Sequence, residues 1–267
     1  MAYTDLVNRE HFIANYIEEF GSVTVEEIVN KFNVSQSTTR RILARLAEVG
    51  VVERTHGGAS WVGSNGTETP VFSRATVHPL EKDLIATAAA SLVSRGETII
   101  LLAGTTINVL AGKLKEKEGI TVITNSLPVL ATLQPNPGIE VIFLGGLLNR
   151  KEQSVGGGLT GLFGKELRAD KLFFGVRGIT LDYLLTLDDV NERDNFRIFM
   201  DSARQSFVLA DGSKFNQSGA IALCSLDQTS ALITDSTAPI QIIKDMVKRG
   251  HQIIVADVAD KVKERVG

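Results

Sequence analysis

Apolar residues recur at helical spacing between Asp5 and Phe20, at Leu6, Ile13, Tyr16, Ile17 and Phe20, and Gly21 supplies a stop. Thr24-Val-Glu-Glu27 has the spacing of a capping box, in which the hydroxyl accepts from a free first-turn N–H and the carboxylate reaches back. The helix it opens carries Ile28 and Phe32 on one face. After a break at Asn33-Val34, Ser35 can cap a third helix that runs to about Val49 and ends at Gly50. Two extended runs, VVERT and ASWV, flank His56-Gly57-Gly58 and predict a hairpin. Three short helices and a hairpin predict a winged helix-turn-helix domain over residues 1–60.

Residues 61–79 are rich in Gly, Ser, Thr, Asn and Pro without a sustained period, which predicts a linker. Beyond them the pattern alternates. Helices are predicted at 80–94, from 106, at 127–133, 159–167 and 192–204. Strands are predicted at 98–103, 120–124, 139–144, 171–174 and 206–210, with a strand–helix–strand tail closing near Val255. Apolar strands alternating with helices predict an α/β fold, a mainly parallel three-layer α/β/α domain over residues 80–267.

Composition changes this picture mainly by exclusion. With 28 Lys+Arg against 31 Asp+Glu the net charge is −3, which excludes a polycation that coats nucleic acid. Residues 1–60 hold six basic and eight acidic residues, so the first domain is itself slightly acidic. A single cysteine excludes an internal disulfide, and four scattered histidines offer no metal-ligand spacing, so no metal and no cofactor are expected. Charge near the N-terminus and the lack of an apolar run of ~18 residues predict a cytoplasmic protein with no membrane partner.

Local chemistry reverses the message of the global charge. On the third helix, Thr39, Leu43 and Leu46 fall on one side, and Ser37, Arg40, Arg41, Ala44 and Arg45 on the other. Three arginines and no acid lie between Asn33 and Ala47. Such a face suits a DNA major groove, where arginine pairs with guanine and small polar groups reach base edges or phosphate. Ser35, Gln36, Ser37, Thr38, Arg40, Arg41 and Arg45 are therefore candidate DNA contacts. The alternative is a solvated surface helix.

In the larger domain a ligand belongs outside the carboxyl ends of the strands. Gly104, Thr105 and Thr106 follow one strand and open a helix, where N–H groups and the helix dipole attract an anion. Thr124, Asn125 and Ser126 repeat the small polar pattern. Gly145 and Gly146 permit close approach of a ligand to the backbone, and Asp211-Gly-Ser-Lys214 brings a cation. Gly156–Gly161 formally matches G-x-G-x-x-G but follows a polar stretch, so it is read as a flexible loop before a helix. Cys224, within IALCSL, reads as core rather than nucleophile.

The segment VSQSTTRRILARLAEVGVVERTHGGA, Val34 to Ala59, resembles the N-terminal domain of the DeoR family of bacterial transcription regulators. That resemblance implies a wing whose Arg54 and His56 lie along the DNA backbone or minor groove. LAGTT at 102–106, ITNSLP at 123–128, LGG at 144–146, ADKLFFG at 169–175 and ADGSKF at 210–215 extend it through the larger domain. The family's effector domain is related in fold to ribose-phosphate isomerases. The resemblance implies a repressor of a carbohydrate-utilisation operon, released by a sugar phosphate, that works as a dimer or tetramer on operator DNA.

Departures from the family pattern stand at Thr39 (usually Ile), Ile42 (usually Asp), Leu102 (usually Asp), Arg177 (usually Asp) and Phe196 (usually Lys). Glu192 and Lys214 match it. Arg177 adds a donor fork suited to a carboxylate, sulfonate or second phosphate. It can equally form an ion pair with Asp182, Asp188 or Asp189. The rival function is a sugar-phosphate isomerase-like enzyme, with Glu192 as base and Lys214 beside the substrate. The missing acids and the attached winged helix count against it.

Overall fold

Thr24 caps a helix as its spacing predicts. The Glu27 N–H donates to Thr24 Oγ1 at 3.2 Å and the Thr24 N–H donates to Glu27 Oε2 at 2.6 Å. The structure, a computed structural model, describes residues 20–48, 50–61 and 74–257, together with Glu10, residues 12–14, Tyr16 and Ile17. The chain divides into two compact units, Met1–Pro79 and Leu80–Gly267.

In the first unit the described residues from Glu10 to Phe20 are helical, with Ile13, Ala14 and Ile17 fully buried. Leu6 and the start of that predicted helix lie outside the described residues. Strand β1 (Ser22–Thr24) leads into helix α1 (Val25–Phe32), which ends at Asn33 in the left-handed conformation. Helix α2 (Gln36–Glu48) follows a turn in which the Thr38 N–H donates to Ser35 Oγ at 3.1 Å. Strands β2 (Val52–Thr55) and β3 (Gly58–Trp61) form the predicted hairpin.

The wing has one strand more than the sequence pattern predicts, because β1 pairs with β3 in the order β1-β3-β2. Three residues are too few to display a period of two. The pairing depends on glycine: a β carbon on Gly58 would stand 2.0 Å from the Val23 carbonyl oxygen. Thr39, Ile42, Leu43 and Leu46 of α2 pack inward with Ile28, Val52 and Ala59.

The second unit begins with α3 (Pro79–Ser91), β4 (Thr98–Leu101), α4 (Thr105–Leu114), β5 (Ile120–Thr124), α5 (Leu127–Leu133) and β6 (Ile139–Phe143). The hairpin β7 (Leu147–Asn149) and β8 (Ser154–Gly156) precedes α6 (Gly158–Glu166) and β9 (Ala169–Gly175). Then come β10 (Gly178–Ile179), β11 (Leu184–Leu187), α7 (Val190–Ser202), β12 (Ala203–Leu209), β13 (Ile221–Ser225), β14 (Ala231–Asp235), α8 (Ile240–Lys248) and β15 (Ile253–Ala256).

Seven strands form one parallel sheet in the order β15-β14-β12-β9-β4-β5-β6. Alternation along its strands divides the core in two. Ile99, Leu101, Phe173 and Leu209 pack with α3, α4 and α5, while Ile100, Leu172, Phe174 and Val208 pack with α7 and α8. That is the expected three-layer α/β/α fold.

Two features went unpredicted, the β7–β8 hairpin and an antiparallel sheet β10-β11-β13 on the α7 side. Their strands are two to five residues long. The G-x-G-x-x-G stretch, read as a flexible loop, is instead the last residue of β8 followed by the first turn of α6, with Gly157 at φ +89° between them. Cys224 is buried on β13 as expected of a core residue, and burial pushes its thiol up to about 11.

Candidate functional site

In the first unit, α2 directs Gln36, Ser37, Arg40, Arg41, Ala44 and Arg45 outward while its other face is buried. Ser35, Ser37 and Thr38 share hydroxyl contacts at the start of the helix, with Ser35 Oγ 2.9 Å from both Ser37 Oγ and Thr38 Oγ1. A cleft of about 640 Å³ brings Gln36 and Arg40 of α2 together with Arg54 and His56 of the wing. Arg41 stands outside that cleft. So does Arg45, which pairs with Glu10 at 3.1 Å.

The cleft also includes Thr24 and Glu26 from the start of α1, which the sequence pattern does not place there. The wing brings them there: the Val25 N–H donates to the Gly57 carbonyl at 2.8 Å, a register set by the unpredicted β1–β3 pairing. The capping-box signal was visible, but nothing local says that a helix start faces the wing. Ile42, where the family pattern has Asp, is 1% exposed and serves the core.

In the second unit the candidate loops lie after β4, β5, β6, β9 and β12. Gly104 has φ +154° and no side chain caps α4 behind it. The polar groups after β5 tie loop to loop. Thr124 Oγ1 donates to the Leu101 carbonyl at 2.7 Å, and the Ser126 N–H donates back to Thr124 Oγ1 at 3.0 Å. Asn125 accepts from the Ala103 N–H through Oδ1 at 3.1 Å and donates through Nδ2 to the Val155 carbonyl at 3.0 Å. Thr106, Thr124 and Ser126 are buried; Thr105 is half-buried.

After β6, the close approach at Gly146 is made by the chain itself. A β carbon there would meet Thr160 Oγ1 at 2.2 Å and the Gly156 carbonyl oxygen at 2.5 Å. Gly145 is open on that side, and its carbonyl accepts from Thr160 Oγ1 at 2.8 Å.

Arg177, between β9 and β10, pairs through Nε with Asp188 Oδ2 at 2.9 Å, one of the three partners its position allows. Asp182 instead accepts from the Thr180 hydroxyl, which holds its carboxyl below the usual carboxylate range. Lys214 ends a short turn whose start is capped by Asp211, with the Ser213 N–H donating to Asp211 Oδ1 at 3.0 Å. A bridge between Ile179 and Phe215 sets that turn beside the Arg177 segment. Glu192 is half-buried in the first turn of α7.

The other departures are filled by core. Leu102 is 1% exposed, and Phe196 packs edge-on against Phe174 at 5.7 Å between ring centres. Next to Glu192, Arg193 has a buried Nε without a hydrogen-bond partner among the described residues. An orphaned buried donor is costly, and nothing in the spacing around Arg193 predicts it. Among the described residues no His, Cys, Asp and Glu cluster could hold a metal, and no helix is long and apolar enough to cross a membrane.

A winged helix-turn-helix unit attached to an α/β sensor unit defines a DNA-binding transcriptional regulator. Residues 9–65 match the DeoR-like helix-turn-helix domain and residues 77–236 match the DeoR C-terminal sensor domain, and the chain belongs to the DeoR family. It is 34% identical to the HTH-type transcriptional repressor CsqR of Escherichia coli (strain K12), over 90% of this chain and 92% of that protein. It is 30% identical to the glycerol-3-phosphate regulon repressor of the same organism, over 92% of this chain and 97% of that protein. Among solved structures, ribose 5-phosphate isomerase A from Methanocaldococcus jannaschii aligns with 50% of this chain and 53% of its own, at a TM-score of 0.37 and 20% identity.

Proposed function

We propose that the chain is a cytoplasmic repressor of a carbohydrate-utilisation operon, controlled by a phosphorylated or otherwise anionic sugar metabolite. In this reading residues 1–60 bind operator DNA, 61–79 link, and 80–267 bind the effector and oligomerise. Gln36, Arg40, Arg54 and His56 face the DNA across the cleft, with Ser35 just before α2 and Ser37, Thr38, Arg41 and Arg45 along it. The effector occupies the carboxyl edge of the sheet. The uncapped start of α4 after Gly104 receives the phosphate, and Arg177, Glu192 and Lys214 surround the remainder.

The observation that carries this reading is the cleft, which gathers Gln36 and Arg40 of α2 with Arg54, Thr55 and His56 of the wing onto one surface, together with Thr24 and Glu26. The similarity to a glycerol-3-phosphate regulon repressor supports a phosphorylated ligand. The family's regulators span nearly the whole chain, so the isomerase-like reading is not favoured.

The test is a gel shift with the gene's own upstream DNA, with and without candidate sugar phosphates. Binding is expected, with log affinity falling with log salt by ~0.9 per phosphate contacted. No shift at any salt concentration sinks the operator reading. Thermal-shift measurements with anionic sugars test the effector site, and equal shifts in wild type and Arg177→Ala remove Arg177 from it.

A further inference from the structure

We infer that the face built by the β7–β8 hairpin and α6 docks a second copy of this chain. Leu147 is 80% exposed, Leu159 62%, Leu162 63% and Phe163 59%. Leu159, Leu162 and Phe163 recur at i, i+3 and i+4 and so form one stripe along α6. The opposite side of the helix, Thr160, Gly161 and Gly164, is buried. A β carbon on Gly157 would lie 3.9 Å from Leu147 Cβ, so Leu147 stands beside Gly157 at the start of α6, two residues before Leu159.

Scattered exposed leucines need no explanation, but a helical stripe of three exposed apolar side chains with a fourth beside its start does. Their combined exposed area is on the order of 500 Å². A two-fold contact buries the patch on both copies, on the order of 1,000 Å² before any polar rim is added, which reaches the size of a specific interface. A two-fold contact also sets identical surfaces together, and α6 ends in the exposed pair Lys165 and Glu166. The patch therefore carries both signs of charge at its edge and can pair them with its own copy. Each chain supplies one α2, and a regulator reading two half-sites needs two; this last argument rests on the operator reading above.

Sedimentation of the full chain tests the inference, using Leu147→Asp and Phe163→Asp, with Leu181→Asp as a control at a residue 76% exposed elsewhere on the unit. Wild type and control are expected to self-associate. Each patch variant is expected to weaken association by about 30-fold or more while keeping its melting transition. If an aspartate variant fails to fold, Leu162→Ser on the same stripe gives the reading. A monomeric wild type, or patch variants that assemble as tightly as wild type, overturns the inference. A chain that assembles through this patch yet binds no upstream DNA supports the interface and overturns the operator reading alone.

Discussion

Thr24 both caps α1 and lines the cleft, so one hydroxyl links the stability of a helix to the presentation of two arginines. Thr24→Ala is expected to cost the first unit about 1 kcal/mol, read as a lower melting temperature. Hydrogen bonds from Thr24, backbone first, hold the exposed Glu27 carboxyl below its ordinary range. A lowered folded value means the contribution is present above the unfolded carboxylate range and is lost as pH falls through the folded value. Glu27→Gln keeps the cap geometry without the titration, so its melting temperature should fall less steeply on acidification. In Arg40→Ala, operator affinity is expected to drop about 10- to 100-fold with no change in melting. With its thiol raised to about 11, roughly a thousandth of Cys224 is ionised at pH 8, so native protein should react with thiol reagents only as it unfolds. Fast labelling in the folded state would contradict the burial seen on β13.

Among the elements, those with a full period were legible in the sequence. The capping box, the two faces of α2 and the apolar strands of the parallel sheet each follow from spacing alone, since Ile99/Leu101 and Ile100 must face opposite layers. What escaped was too short or too distant. Strand β1 has three residues and gains its identity only from pairing with β3, and β10 has two. The partner of Arg177 could be narrowed to three aspartates, yet only the path of β11 into α7 selects Asp188. Gly146 was legible as a point of close approach, while its neighbours Thr160 and Gly156 come from the following hairpin and helix. The same reasoning makes Gly58 the most exacting position of the wing. Gly58→Ala is expected to break the β1–β3 pairing and abolish operator binding, while the core of the second unit, built from separate residues, keeps its melting transition. Retained operator binding in that variant would mean that β1 can separate from β3 without moving Arg54 and His56.

At the scale of the molecule, a net charge of −3 and a slightly acidic first unit leave specific placement of a few cations to carry DNA affinity, so binding to random DNA should be weak at physiological salt. An effector acts only if it favours one arrangement of the assembly over another. The hydrogen bonds suggest the route. Asn125, in a candidate effector loop, is bonded to Val155 of the hairpin at 3.0 Å. Asn195 of α7, with its amide turned to satisfy both groups, bonds Gly157 at 3.3 and 3.0 Å at the start of α6. Both connections end on the elements that bear the apolar face. A sugar phosphate that rearranges these loops should therefore alter self-association, and through it operator affinity, by about 5- to 150-fold. The Phe163→Asp variant, at a concentration where it no longer associates, isolates this step. It should still show a thermal shift with the sugar phosphate, because Phe163 is not among the candidate effector residues. Its affinity for a single half-site should then be unchanged by the effector. A full effector response in the monomer would mean that the signal reaches the DNA-binding unit within one chain, without passing through the interface.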